Sequence, residues 1–303
     1  MAGRCSNRPR SPFAPTRPRK RSSACRTFRY SSPRSSPMRE SMASEADSLL
    51  EVVGRLDRQP LRNIVLLKHI EAFREHVSLA QVSDGRDTAT LVLLNTTGSP
   101  YDRETYPQAA LAALISSDHP RLTRRLLGSV PAERNVVFKL ASDNDRDVVG
   151  EHFPLSRATS FLSFPVDERA AFVADEQVPV SMSASDRVLR LFESQGHPRD
   201  WLLPLLASGR AFACALELDG EPRSACLAFE NHRQIWEVGG VVTPMPHRGR
   251  GFAARVVRTA LAELQRRKLV ARYQVNEDNL PSIRLATSVG LRQFLQLTHF
   301  RTW

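Results

Sequence analysis

The chain has 303 residues, 41% of them hydrophobic and 25% charged, enough for one large or two moderate globular units. Its formal charge of +11 sits almost wholly in residues 1–40, where eleven Arg and Lys face the single acid Glu40; the rest is near +1 and gives no electrostatic reason to expect a polyanionic partner. Cys5, Cys25, Cys214 and Cys226 form no CxxC pair and have no histidine at ligand spacing, so neither a zinc site nor a disulfide framework is supported, and no apolar run approaches the ~20 residues that span a bilayer. A reduced, cytoplasmic protein without metal, off the membrane, is the expectation.

Residues 1–44 are rich in Arg, Ser and Pro with almost no periodic apolar positions, so they are read as a disordered basic tail or as an extension upstream of a start at Met38 or Met42. From Ser48 the pattern changes. Leu49, Leu50, Val53 and Leu56 have helical spacing, and Leu61, Ile64, Val65, Leu66, Ile70 and Phe73 mark a second amphipathic helix. Strand-like runs follow at 77–82 and 88–94, divided by the turn pair Asp84-Gly85, and then at 108–115. Asp118, two residues before Pro120, predicts a helix start with Asp as cap. A strand at 136–140, a helix at 143–149 and a strand at 159–164 complete a smaller mixed αβ domain over 45–165 without a catalytic cluster.

The second domain, 166–303, opens with an extended run at 178–183 and helices at 186–194 and 199–208, separated by Gly196-His197-Pro198. Strands at 211–218 and 223–230 flank Asp219-Gly220, a pair that tolerates the positive φ of a tight hairpin. A third strand at 234–243 runs into Arg248-Gly249-Arg250-Gly251-Phe252-Ala253. Beyond it Ala253, Val256, Val257, Ala260, Leu261 and Leu264 form one apolar helical stripe. A strand at 270–275, a short helix at 281–289 stopped by Gly290, and a last strand at 294–300 close the chain.

A glycine turn between strand and helix holds phosphates, because glycine admits close backbone approach and the first N–H groups of the helix have no partner within it. The RGRG string alone also occurs in RNA-binding arms, and no GK[ST] follows for a nucleoside triphosphate. Its position between a strand and an amphipathic helix favours an ordered anion site.

The order strand, strand, strand, glycine turn, helix, strand, helix, strand resembles the GNAT superfamily of N-acetyltransferases. Arg248, Gly251 and Ala253 match its signature of Arg or Gln, two residues, Gly, one residue, Gly or Ala; the run from Asn276 to Ser282 resembles its second cofactor-binding stretch. The first half is faintly similar to a degenerate copy, as in glycine N-acyltransferase-like proteins. The resemblance implies an α/β (α+β) fold with a GNAT-like mixed central sheet flanked by helices. It also implies transfer of an acetyl group from acetyl-CoA to a primary amine by direct attack. Arg248, Gly249, Arg250, Gly251, Phe252 and Ala253 would hold the pyrophosphate, and Val241, Val242 and Thr243 the pantetheine arm, with the Val241 N–H stabilising the oxyanion.

Gly239-Gly240 suits a bulge there, or simply easier packing. Glu237, eleven residues before Arg248, is the base by resemblance and Glu230 its alternative; a solvent-facing carboxylate is the competing reading for Glu237. Asn276, Asn279 and Ser282 are expected on the cofactor side, with Asn279 alternatively a helix cap. Ala286 stands where many relatives carry an acidic tyrosine, so no general acid is named, and Trp236 and His299 read as packing residues. A non-catalytic acyl-CoA-binding or regulatory protein is the second reading. Nucleic acid is a third, through the basic tail alone.

Overall fold

The computed structural model describes residues 49–132, 134–167 and 169–303; the basic tail expected over 1–44 lies outside them. Two helices open the described chain, α1 over 49–56 and α2, Pro60–Ala72. Strands β1 (Val77–Ser83) and β2 (Thr88–Asn95), helix α3 (Pro100–Thr105), β3 (Leu111–Ser117), α4 (Pro120–Leu127), β4 (Val136–Leu140), α5 (Asp143–Gly150) and β5 (Ser156–Pro165) complete the first half. The second half holds β6 (Val180–Ser181), α6 (Asp186–Glu193), α7 (Arg199–Ala207), β7 (Ala211–Leu218), β8 (Glu221–His232), β9 (Ile235–Val242), α8 (Phe252–Arg266), β10 (Val270–Asn276), α9 (Leu280–Ser288) and β11 (Leu295–Arg301).

The strands form one mixed sheet, in the order β1-β2-β3-β4-β11-β5-β10-β9-β8-β7-β6. The two halves repeat one plan. In each, three antiparallel strands lead through a helix to a fourth strand parallel to the third, β3 with β4 and β9 with β10. The closing strands are exchanged: β11 pairs with β4 and β5 pairs with β10, while β5 and β11 pair with each other. The boundary expected at residue 165 therefore falls at the end of a strand held between two strands of the second half.

Most elements lie where periodicity predicts. Asp219 and Gly220 have φ of 55° and 73°, the paired positive values of a tight hairpin turn. Val256, Val257, Ala260, Leu261 and Leu264 of α8 are buried against β7–β10, each contributing about 1.5–3 kcal/mol if Val or Leu. Two expectations change. Residues 108–110 precede β3, and α3, whose six residues are too short for a period, is an addition. The cap of α4 is His119, whose imidazole accepts from the Arg121 N–H, because Asp118 is drawn to the Thr88 N–H at 3.0 Å and to Arg55 at 3.3 Å.

The sheet separates two layers. Helices α8 and α9 cover one face of the second half, and α6 and α7 cover the other together with the end of α2. Between the halves, the buried His232 ring bridges Glu71 at 2.6 Å and Asp57 at 2.7 Å, tying the α1–α2 hairpin to the end of β8.

Candidate active site

The turn after β9 is built to leave donors exposed. Gly249 and Gly251 have φ of 75° and 76°, a left-handed conformation that favours glycine, and open space lies where their Cβ atoms would be. Gly251 is the N-cap of α8 and supplies no side-chain acceptor, so the first N–H groups of that helix stay uncapped by protein, at the positive end of its dipole. The Arg248 guanidinium donates to the Thr243 carbonyl at 3.0 Å, and Ser224 hydrogen-bonds to both the Val242 carbonyl and the Thr243 hydroxyl, at 3.1 and 2.8 Å. Together these contacts brace the strand-to-turn junction.

Strand β9 leaves its neighbour just before this turn. It pairs with β10 only from Ile235–Val270 to Val238–Tyr273, whereas β10 continues to Asn276 against β5. On the other side, β8 pairs Leu227 with Gly239 and Ala225 with Val242, so β9 carries one extra residue. Gly240, with φ of 59°, lies in this bulge. From Gly239 to Val242 the edge facing β10 has no strand partner, which opens a cleft between two parallel strands at the point where Val241 stands.

Glu237 lies at the closed end of the cleft, on the face opposite α8. It is buried, with Arg272 Nη1 at 2.9 Å, Asn231 Nδ2 at 2.7 Å and Lys68 Nζ at 3.6 Å. Burial alone would raise its pKa, but Lys68, Arg272 and the Asn231 hydrogen bond outweigh that and hold the carboxyl below its ordinary range. Lys68 is in turn pushed down to about 8, chiefly by burial. The carboxylate expected as base thus lies at the cleft as an anion, with Arg272, Asn231 and Lys68 all on its Oε2. The solvent-facing alternative is excluded by burial. Glu230 is on the opposite face, as alternation along β8 requires, and bonds Arg210 at 2.7 Å.

Above the two glycines sits an aromatic cluster. His197 stacks on Trp201 with centroids 5.3 Å apart, Trp201 meets Phe229 edge-on at 5.2 Å, and a Cβ placed on Gly239 would come within 3.3 Å of Phe229. On Gly240 it would lie 3.0 Å from His197 Cδ2 and 3.1 Å from Nε2. The paired glycines are therefore required by the close approach of these rings.

Residues 182–291 match the family model described as Acetyltransferase (GNAT) family. The match lies within the second half of the chain and spans the turn after β9. No curated protein matches the chain. Similar solved structures include a GCN5-related N-acetyltransferase from Sphaerobacter thermophilus, 16% identical, covering 70% of this chain and 76% of that one, with a TM-score of 0.49. Another, from Kribbella flavida, is also 16% identical and covers 78% and 93%, again with a TM-score of 0.49.

The remaining expected site residues lie in the second half of the chain. Phe252 and Ala253 open α8 half-buried, Phe252 against the core, while Arg250 is exposed. The Asn276 amide donates to Thr159 and its oxygen accepts from the Asp278 N–H, both at 2.9 Å, so both ends of its side chain shape the loop. Asn279 caps α9 by accepting from the Ser282 N–H at 3.2 Å, the alternative reading for it. The Ser282 hydroxyl is 2.5 Å from Tyr273 Oη, whose pKa burial pushes up to about 12. Ala286 is fully buried, and Trp236 and His299 are packed as expected, the latter 2.8 Å from Tyr106 Oη. Among the described residues no group of His, Cys, Asp and Glu is placed to hold a metal, and no helix is long and apolar enough to cross a membrane.

Sequence reasoning missed Lys68, His197, Trp201, Phe229 and Arg272. Lys68 is brought in by the α1–α2 hairpin from more than a hundred residues away, with no local signal. His197 has one, the Gly-His-Pro break between two helices.

Proposed function

We propose that the protein transfers an acetyl group from acetyl-CoA to a primary amine by direct attack, in the cleft between β9 and β10. The uncapped start of α8 carries this reading. With glycines 249 and 251 clearing the approach, it suits the coenzyme A pyrophosphate, whose anionic oxygens match unpaired N–H donors at a helix start. Arg248 to Ala253 would hold the diphosphate; the free edge of β9 at Val241, Val242 and Thr243 would pair with the amide-bearing pantetheine arm. Asn276, Asn279 and Ser282 would border that arm through the loop they shape.

The donor supplies a thioester carbonyl. The bulge gives Val241 an edge position from which its N–H would stabilise negative charge developing on the carbonyl oxygen. An amine must be neutral to attack, so a proton acceptor is needed on the Glu237 face. A coenzyme A thiolate leaves readily without a dedicated acid, which accommodates Ala286. Cys214 and Cys226, buried and in no disulfide, support a reducing, cytoplasmic setting.

The test combines calorimetry with thiol release. Coenzyme A and acetyl-CoA should both bind, and an amine among amino acids, polyamines, aminoglycosides and peptides should accelerate release of free thiol. Binding without thiol release for any acceptor would select the second reading, a non-catalytic acyl-CoA-binding protein, which Ala286 and the tightly paired Glu237 favour.

A further inference from the structure

We propose that His197 is the residue that takes the proton from the acceptor amine, and that Glu237 acts as the fixed anion that favours the resulting imidazolium. The inference rests on the acyl-transfer reading above.

Gly196, with φ of 84°, reverses the chain after α6, and the His197 N–H donates to the Phe192 carbonyl at 3.1 Å. That turn aims the ring inward, so that only 5% of His197 remains exposed. Its contacts are the Trp201 stack and the Gly240 backbone at the bulge, adjacent to Val241. Nδ1 has no hydrogen-bond partner. The ring edge that faces the bulge is Cδ2–Nε2, so Nε2 is the nitrogen presented to a ligand there.

The groups around the ring fit the task. The rings of Phe229 on β8 and Trp201 on α7 meet it. The Glu237 carboxylate of β9 acts on it electrostatically and is itself bonded to Arg272 of β10 and paired with Lys68 of α2. Burial pushes the imidazole down to about 4 while Glu237 opposes that shift, so the ring is neutral at physiological pH and able to accept without first losing a proton. In the reaction the amine nitrogen bonds to the thioester carbonyl carbon. The carbon–sulfur bond breaks, sulfur leaves with the electron pair, and the nitrogen's surplus proton passes to the imidazole and then to solvent.

Three variants and one spectrum test this. His197→Phe keeps the stack on Trp201 but removes the nitrogens; it should lower kcat with the best amine of the screen by about 100-fold or more, with coenzyme A affinity within a few-fold of the parent. In His197→Ala, added imidazole should restore turnover and the equally shaped but weakly basic pyrazole should not. Glu237→Gln should lower kcat while moving its pH midpoint downward. The imidazole NMR signals of His197, identified by their loss in His197→Phe, should shift on adding coenzyme A alone. Full activity in His197→Phe, equal rescue by both azoles, rescue by neither, or His197 signals unmoved by bound coenzyme A would each overturn the proposal and leave the acyl-transfer reading standing. Thiol release by no amine would overturn that reading instead, with the NMR shift still reporting whether the ring lies at the cofactor site.

Discussion

Glu237 Oε2 and Arg272 Nη1 lie 2.9 Å apart on adjacent parallel strands, at the last rung but one before β9 and β10 part. The pair closes the inner end of the cleft, and Arg272 is anchored from behind by the Ser163 hydroxyl at 2.8 Å.

Breaking this pair leaves a buried carboxylate with one cation fewer. Arg272→Met is expected to cost about 3 kcal/mol of stability, because the loss of one partner exposes the desolvation cost of the other. Glu237 has a folded pKa below its ordinary 4.5; its contribution is complete above that value and is lost as pH falls through the folded one. Denaturant midpoints at pH 7 and pH 3.5 check both points: the difference between parent and Arg272→Met should be larger at pH 7.

The glycine turn predicts a loss confined to cofactor binding. Gly251→Ala places a Cβ on a left-handed residue, at a cost of about 1–2 kcal/mol, and shifts the N–H groups that would meet the pyrophosphate. Calorimetry should show coenzyme A affinity falling about tenfold, with the unfolding midpoint changed by no more than the backbone cost.

At the bulge the expected outcome differs. Gly240→Ala adds a methyl 3.0 Å from the His197 ring, so the ring or the strand must shift. Turnover should fall by an order of magnitude or more, since misplacement by about 1 Å costs roughly 100-fold, while coenzyme A affinity changes less than in Gly251→Ala. Parallel kinetics and calorimetry on the two variants separate the roles of the two glycines.

Removal of residues 1–41 tests where the charge acts. Coenzyme A binding and thiol release should be unchanged, and any binding of nucleic acid should disappear; before truncation it should weaken steeply as salt rises, as counterion release requires.

Much of the second half was legible in the sequence because its signals are local. Alternation and a 3.6-residue period depend on neighbours within one element, and the Asp-Gly hairpin and the glycine turn depend on backbone angles that few residues adopt. The strand before the turn and its paired glycines could be named from local pattern, and Glu237 from the resemblance to the GNAT superfamily. Short α3 and the His119 cap could not, since a six-residue helix carries less than two turns of pattern and Asp118 was claimed by Thr88 and Arg55.

The sequence by itself determined the glycine turn, the amphipathic α8 behind it and the strand that feeds it. Only the tertiary structure decided what surrounds them. The exchange of β5 and β11 joins both halves into one sheet, the α1–α2 hairpin carries Lys68 to Glu237, and the turn at Gly196 lays His197 over Gly240. These contacts join residues far apart in the chain, and their energy comes from burial and charge pairing that no local window contains. The same contacts make Glu237 a paired anion and set the His197 ring beside the bulge.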